Sequence, residues 1–359
     1  MKTLKVLDWP SKRFYGETHH FYRWKKKLLE HDLKVEFYYD HRDKRLKGSD
    51  YLLLHSRYFA DGWQNIHTRT SKNEDELIMY LLEMKNATGK LIWFDAADSS
   101  GSSDFPIISF VDVFMKKQRL KNLDYYMDSS AANDLRIWLN EVPDDQKTRF
   151  VPCPQDQLHK IKLGWNIGFN DYRYFGYKMS RLSNYLSYKV YPTHLSTYDK
   201  VRSYDLAFRG TIHKDGGSRN MISYQRNHVL NLFGHLNLHI ASGGNVSKAR
   251  YWKELRDSKL SISPFGWGEI CYRDFETFIS GSVLIKPRMD HLETYPNLFI
   301  ENDTYVPVNW NLEELEERLE YMATHYDEYR HIARNGQEKY FNAINDAEGF
   351  IQAFKQNIE

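Results

Sequence analysis

The sequence runs to 359 residues, too many for one ordinary core and suited to two domains of middling size. Its 41% hydrophobic and 27% charged residues exclude a disordered chain, and a formal net charge of +2 gives nucleic acid no electrostatic reason to bind. No run of about 18 apolar residues occurs, so no membrane-spanning helix is expected, while peripheral contact with a membrane stays open.

In chain order, residues 4–7 read as a short strand. Residues 18–31, THHFYRWKKKLLEH, read as a helix, because Phe21, Trp24, Leu28 and Leu29 fall near helical spacing. Residues 34–39 and 50–55 are the next two strands, the latter ending at His55. A helix over 75–89 stops at Gly89. Residues 90–94 form a fourth strand and 107–114 a fifth. Strands alternating with helices of this length predict a parallel sheet wound on both faces. The Tyr-, Asn- and Pro-rich stretch 120–200 reads as a connection with helical patches near 131–141 and 178–187. The two cysteines, Cys153 and Cys271, lie in separate halves and offer neither a disulfide framework nor a zinc spacing. With an N-terminus, MKTLKVLDWP, that has no apolar stretch of signal length, this fits a cytoplasmic protein.

The second half repeats the logic. A strand over 204–208 runs into Arg209 and Gly210. A helix over 219–234 starts with Arg219 after Gly216, Gly217 and Ser218. A strand over 236–241 ends in Ser242, Gly243 and Gly244. Ser247 caps a helix to about residue 258, and a strand over 260–263 follows. After the short helix around 272–280 and a strand over 283–285 come helices over 311–325, to about 341, and over 346–357.

The stretch 261–287, SISPFGWGEICYRDFETFISGSVLIKP, carries the chemistry. Ligands of open α/β sheets bind beyond the carboxyl ends of the strands. The loop there holds Gly266 and Gly268, so its backbone admits a close ligand. The following helix directs its N-terminus to the same place, which favours a phosphate. Arg273 and Glu276 are three apart and share a face. A guanidinium suits a diphosphate through charge-assisted, often bidentate bonds, and a carboxylate accepts from ribose hydroxyls. A surface ion pair explains the same spacing.

This stretch resembles the donor-site signature of two-domain GT-B glycosyltransferases. It is closest to the exostosin-type branch and to the donor domain of the glycosyl transferases of group 1. The resemblance covers about residues 204–345; VDVFMKKQ at 111–118 is similar to segments of bacterial sugar transferases. It implies an α/β chain of two Rossmann-like domains facing a cleft. The acceptor-binding domain spans 1–195 and the nucleotide-sugar-binding domain 200–340, with the tail, 341–359, packing back on the first. It implies a metal-independent transfer of a sugar from a nucleoside-diphosphate donor to a glycan or glycoconjugate, with no bound cofactor. Donor contacts are expected from Arg209, Gly210, Arg219, Gly243, Gly244, Gly266, Tyr272, Arg273 and Glu276. Many relatives carry two Glu with seven residues between them; Glu269 and Glu276 have six between them, and Gly268 stands where the first Glu would be, a departure that points to inversion.

Inversion needs a base for the acceptor hydroxyl, expected from the first domain. Asp95 and Asp98 follow a predicted strand in WFDAADSSG, where Asp also favours turns for local reasons. His55 ends a strand and is easily poised near neutral pH. Asp8, His19 and His20 are rivals. Lys116 and Lys117 read as a solvated face. A nucleotide-sugar epimerase or hydrolase, or a non-catalytic nucleotide-sugar binder, would share the diphosphate clamp.

Overall fold

The computed structural model describes residues 1–127 except 11, 12, 15, 60–62 and 64–68, residues 151–210 except 173–178, 181–183, 185–190 and 193, and residues 218–359. The helical patch expected near 131–141, most of that near 178–187, Gly216, Gly217 and the side chain of Arg219 lie outside the described residues.

In the first half the strands are β1 (Lys2–Leu7), β2 (Arg13–Phe14), β3 (Leu33–Tyr38), β4 (Tyr51–His55), β5 (Lys90–Asp95), β6 (Val113–Lys116), β7 (Gln118–Leu120), β8 (Ile161–Leu163) and β9 (Met179–Ser180). In the second they are β10 (Tyr204–Arg209), β11 (Ile240–Gly243), β12 (Ser258–Ile262), β13 (Val283–Pro287), β14 (Leu292–Thr294) and β15 (Val306–Val308). The helices are α1 (His19–Arg23), α2 (Lys25–Glu30), α3 (Ser71–Ala87), α4 (Ser218–Leu232), α5 (Lys248–Arg256), α6 (Tyr272–Ser280), α7 (Leu315–Thr324), α8 (Tyr326–Asn345) and α9 (Ala347–Ile358).

Two parallel sheets result, ordered β3-β1-β4-β5-β6-β8 and β11-β10-β12-β13-β15. The expected α/β class with two Rossmann-like sheets is what the chain adopts. In each sheet the second strand of the series lies on one side of the first and all later strands on the other. The order therefore reverses between β1 and β4, and again between β10 and β12. Such a reversal opens a crevice beyond the strand ends, where α/β folds bind ligands. β4 and β13 are buried along their whole length, as strands covered on both faces must be.

Local chemistry sets the boundaries. Thr70 and Asn73 form a reciprocal capping box that starts α3 four residues before the apolar period does. Gly281, with a left-handed φ of 63°, ends α6. Residues 107–114 are not one strand. Pro106 opens a 3-10 turn, Phe105–Phe110, whose Phe105, Ile107 and Ile108 enter the core, and the strand begins only at Val113. That shift carries Lys116 and Lys117 to a strand end, where they are 1% and 3% exposed rather than solvated. The three-residue strands β8 and β15 are too short to leave a period in the sequence.

Among the described residues several contacts join the halves, and these bear on the site. An antiparallel ribbon pairs β7 with β14, and Arg119 is ion-paired to Glu293 across it. A loop of the first half, residues 96–101, meets the loop that follows β12. Finally α9 lies on the first unit: Asn357 donates to the Leu163 carbonyl and Lys90 to that of Ile358, while Phe350 and Phe354 pack against Phe21 and Trp165. Among the described residues no helix is long and apolar enough to cross a membrane.

Candidate functional site

The crevice of the second sheet lies beyond β10 and β12. β10 ends in Arg209 and Gly210; β12 runs into the loop Ser263–Ile270 and then α6. The Arg273 side chain, from the first turn of α6, extends over the Phe208 ring, 4.8 Å from its centroid, and donates to the Arg209 carbonyl. A second guanidinium, that of Arg226 on α4, lies against the same loop, where a Cβ on Gly266 would stand 2.6 Å from its Nη2. Burial, and then the positive charge of Arg273, push Arg226 below its ordinary pKa. Two cations close enough to disfavour one another make a place where an anion lowers the energy of both.

Glu276, one turn along α6, accepts a 2.6 Å hydrogen bond from the Tyr251 hydroxyl. Burial raises its pKa, against the lowering effects of that bond and of Arg273. Phe208, Arg209, Tyr251 and Arg273 line a slot of about 10 Å³, room for about one water.

Three expectations change. Arg209 does not reach out toward a phosphate. Its guanidinium is held by both oxygens of Glu254, which Arg250 also contacts, and its Nη1 donates to the Gly244 carbonyl. It ties β10 to α5 and leaves Gly210, Gly243 and Gly244 as the rim of the crevice. The N-terminus of α6 is not an open anion seat either. Asp274 accepts from the Cys271 amide and from Ser263, and pairs with Lys286 with both side chains fully buried. Tyr272 accepts from Asn170 and packs edge-on to Tyr172, so it faces the connection from the first half. Arg226 was missed because it lies mid-helix among polar residues, with no spacing that ties it to Arg273 forty-seven positions later.

In the first half the candidates divide. Asp95 is 1% exposed, bonded to Lys116 at 2.9 Å and to the Ala97 amide at 3.0 Å. As a base it is withdrawn, because its carboxylate is locked in a buried ion pair. Asp98 is half-exposed and accepts from Arg57 at 2.7 Å and Lys117 at 2.9 Å. His55 is 1% exposed, and burial pushes its pKa down, against the raising effects of Glu17 and Asp8. Glu17, also 1% exposed, faces Arg57 at 3.2 Å, Lys117 at 3.7 Å and His55 at 3.9 Å. Sequence reading gave no signal for it: a single acid before a short helix has no period and no partner in the nearby sequence.

The two centres touch. The Asp98 carbonyl lies so near Gly268 that a Cβ there would stand 1.6 Å from it. Next to it, Glu269 is fully buried and accepts from the Ser100 amide at 2.9 Å and hydroxyl at 2.7 Å. Among the described residues no group of three or more His, Cys, Asp or Glu is arranged to hold a metal.

Residues 209–348, under half of the chain, match the model of a family described as glycosyl transferase-like. They include Arg209, Arg226, Arg273 and Glu276. No curated protein matches the sequence. Among solved structures, an alpha-glucosyltransferase in complex with UDP and a 13-mer DNA aligns over all of both chains at 9% identity and a TM-score of 0.49. Anabaena HepE in complex with UDP-glucose aligns over 99% of each at 9% identity and 0.43. An alpha1,3-fucosyltransferase aligns over 99% of this chain and 90% of its own at 12% identity and 0.46. Scores this low carry no argument about activity.

Proposed function

We propose that the chain is a glycosyltransferase of the GT-B type. It moves a sugar from a nucleoside-diphosphate donor to a hydroxyl of a saccharide or glycoconjugate, with inversion and without a bound metal. The observation that carries this reading is the pair Arg226 and Arg273, brought from separate helices to the crevice beyond β10 and β12, inside the stretch that matches the glycosyl transferase-like family. The second unit takes the donor and the first the acceptor. The diphosphate lies on the two guanidiniums, which supply the positive charge that a metal supplies elsewhere to a departing phosphate. Glu276 and Tyr251 accept from and donate to the ribose hydroxyls. The pairing of Asp98 with Gly268 brings the acceptor side of the first unit to the edge of the donor crevice.

A thermal-shift titration of the full chain with UDP, GDP and the corresponding monophosphates tests this. A ligand at about a hundred times its Kd adds about 2.7 kcal/mol of stability, which is readily seen. The expected result is a larger shift from a diphosphate than from its monophosphate, lost in Arg226→Ala and Arg273→Ala, and unaltered by chelator. Equal shifts in the wild type and both variants refute the reading.

A further inference from the structure

The first sheet has a crevice of its own, beyond β1 and β4, where Asp8 and His55 stand. Glu17 lies in it. Its Oε1 faces Arg57 and Lys117, and its Oε2 takes no hydrogen bond. His55 Nδ1 takes none either, and His55 Nε2 is 3.9 Å from Glu17 Oε2. Buried polar atoms are rarely left so. Two hydrogen bonds of about 2.8 Å meet at a single oxygen across a gap of that width. An alcohol oxygen suits it, since it donates one proton and accepts another.

The other acids of the region lack this property. Asp95 is paired with Lys116, Asp8 accepts from Thr18 and Tyr22, and Asp98 Oδ1 accepts from both Arg57 and Lys117. The Arg57–Asp98 pair covers Glu17 on its exposed side: Asp98 is half-exposed and Arg57 18% exposed.

We propose that Glu17 is the base that takes the proton of the acceptor hydroxyl, with His55 donating to that hydroxyl's oxygen. This rests on the glycosyl-transfer reading. The acceptor O–H proton passes to Glu17 Oε2 as the acceptor oxygen bonds to the anomeric carbon. The bond from that carbon to the diphosphate breaks, and its electron pair leaves on the phosphate oxygen. Among the described residues, the charged groups acting on the pair are Asp8, Arg57 and Lys117; Tyr22 bonds Asp8, and Asp98 pairs with Arg57 and Lys117.

Glu17→Gln tests it in the full chain, because the amide keeps the shape and cannot take the proton. The probes are UDP and GDP for binding, and UDP-glucose, UDP-N-acetylglucosamine and GDP-mannose with water as acceptor for nucleotide release. The variant is expected to keep the wild-type thermal shift while release falls by about 10²–10⁴-fold. Glu17→Asp, which keeps a carboxylate able to take the proton, should recover part of the release that Glu17→Gln loses, whereas a merely structural role would make the shorter side chain the worse of the two. Release by Glu17→Gln within threefold of the wild type overturns the proposal. So does a wild type that binds nucleotide and releases none. A wild type that no nucleotide shifts overturns the glycosyl-transfer reading itself, and this proposal with it.

Discussion

Arg273 and Glu276 share one face of α6 and, in the proposed glycosyl transfer, answer to different parts of the reaction. Arg273 is fixed before any ligand arrives: Phe208 lies under its guanidinium and the Arg209 carbonyl accepts from one end. A preorganised cation acts most where charge builds up, so Arg273→Ala should lower turnover by about 10²–10³, the effect of removing one oxyanion donor. Arg273→Lys should restore only part of it, because an ammonium lacks the planar fork. On the proposed reading, Glu276 accepts from ribose hydroxyls that are equally present before and during bond breaking. Glu276→Ala should therefore raise the donor KM and leave kcat nearly unchanged. Steady-state kinetics against donor concentration separate the two, and equal effects of both variants on kcat would contradict the assignment.

At the scale of elements, the decisive contact is loop against loop. Residues 96–101 follow β5, and the Ser263–Ile270 loop follows β12; Gly268 meets the Asp98 carbonyl and Glu269 holds Ser100. Gly268→Ala forces these backbones apart. The expected outcome is faster amide exchange at residues 96–101 with the nucleotide shift retained, while unchanged exchange would show that the loops adapt. The sequence already makes such loops visible as Gly, Ser and Asp after apolar runs, and it makes α6 visible through Gly281 and its apolar face. What it hides is pairing. Asp95 reads as a loop acid until β6 delivers Lys116 to it, and Arg209 reads as a phosphate ligand until α5 delivers Glu254. Glu17 and Arg226 acquire meaning only through residues dozens of positions away. Strand order is a long-range property that no local period encodes, and both crevices depend on it.

Across the whole molecule, stability should depend on acid through His20. This ring is buried among Phe21, Trp165, Phe169 and Phe350, and burial holds its pKa well below 6.5. Below pH 6.5 the unfolded chain binds a proton there that the folded chain does not. Stability present above that pH is therefore lost as pH falls, by about 1.4 kcal/mol per unit until the folded pKa is reached. Between pH 7.5 and 5.5 the melting temperature of the wild type should fall further than that of His20→Phe, and parallel curves would refute it. The ribbon of β7 and β14 has a mechanical consequence. It begins at Gln118, directly after Lys117, and Gln118 itself donates to the Asp98 carbonyl. The units are thus pinned right beside the groups that hold Glu17. Shears behave the same way: points close to the pin travel least. Any change of angle between the units about this ribbon would displace the outer rim further than it displaces Gly268 from the Asp98 carbonyl.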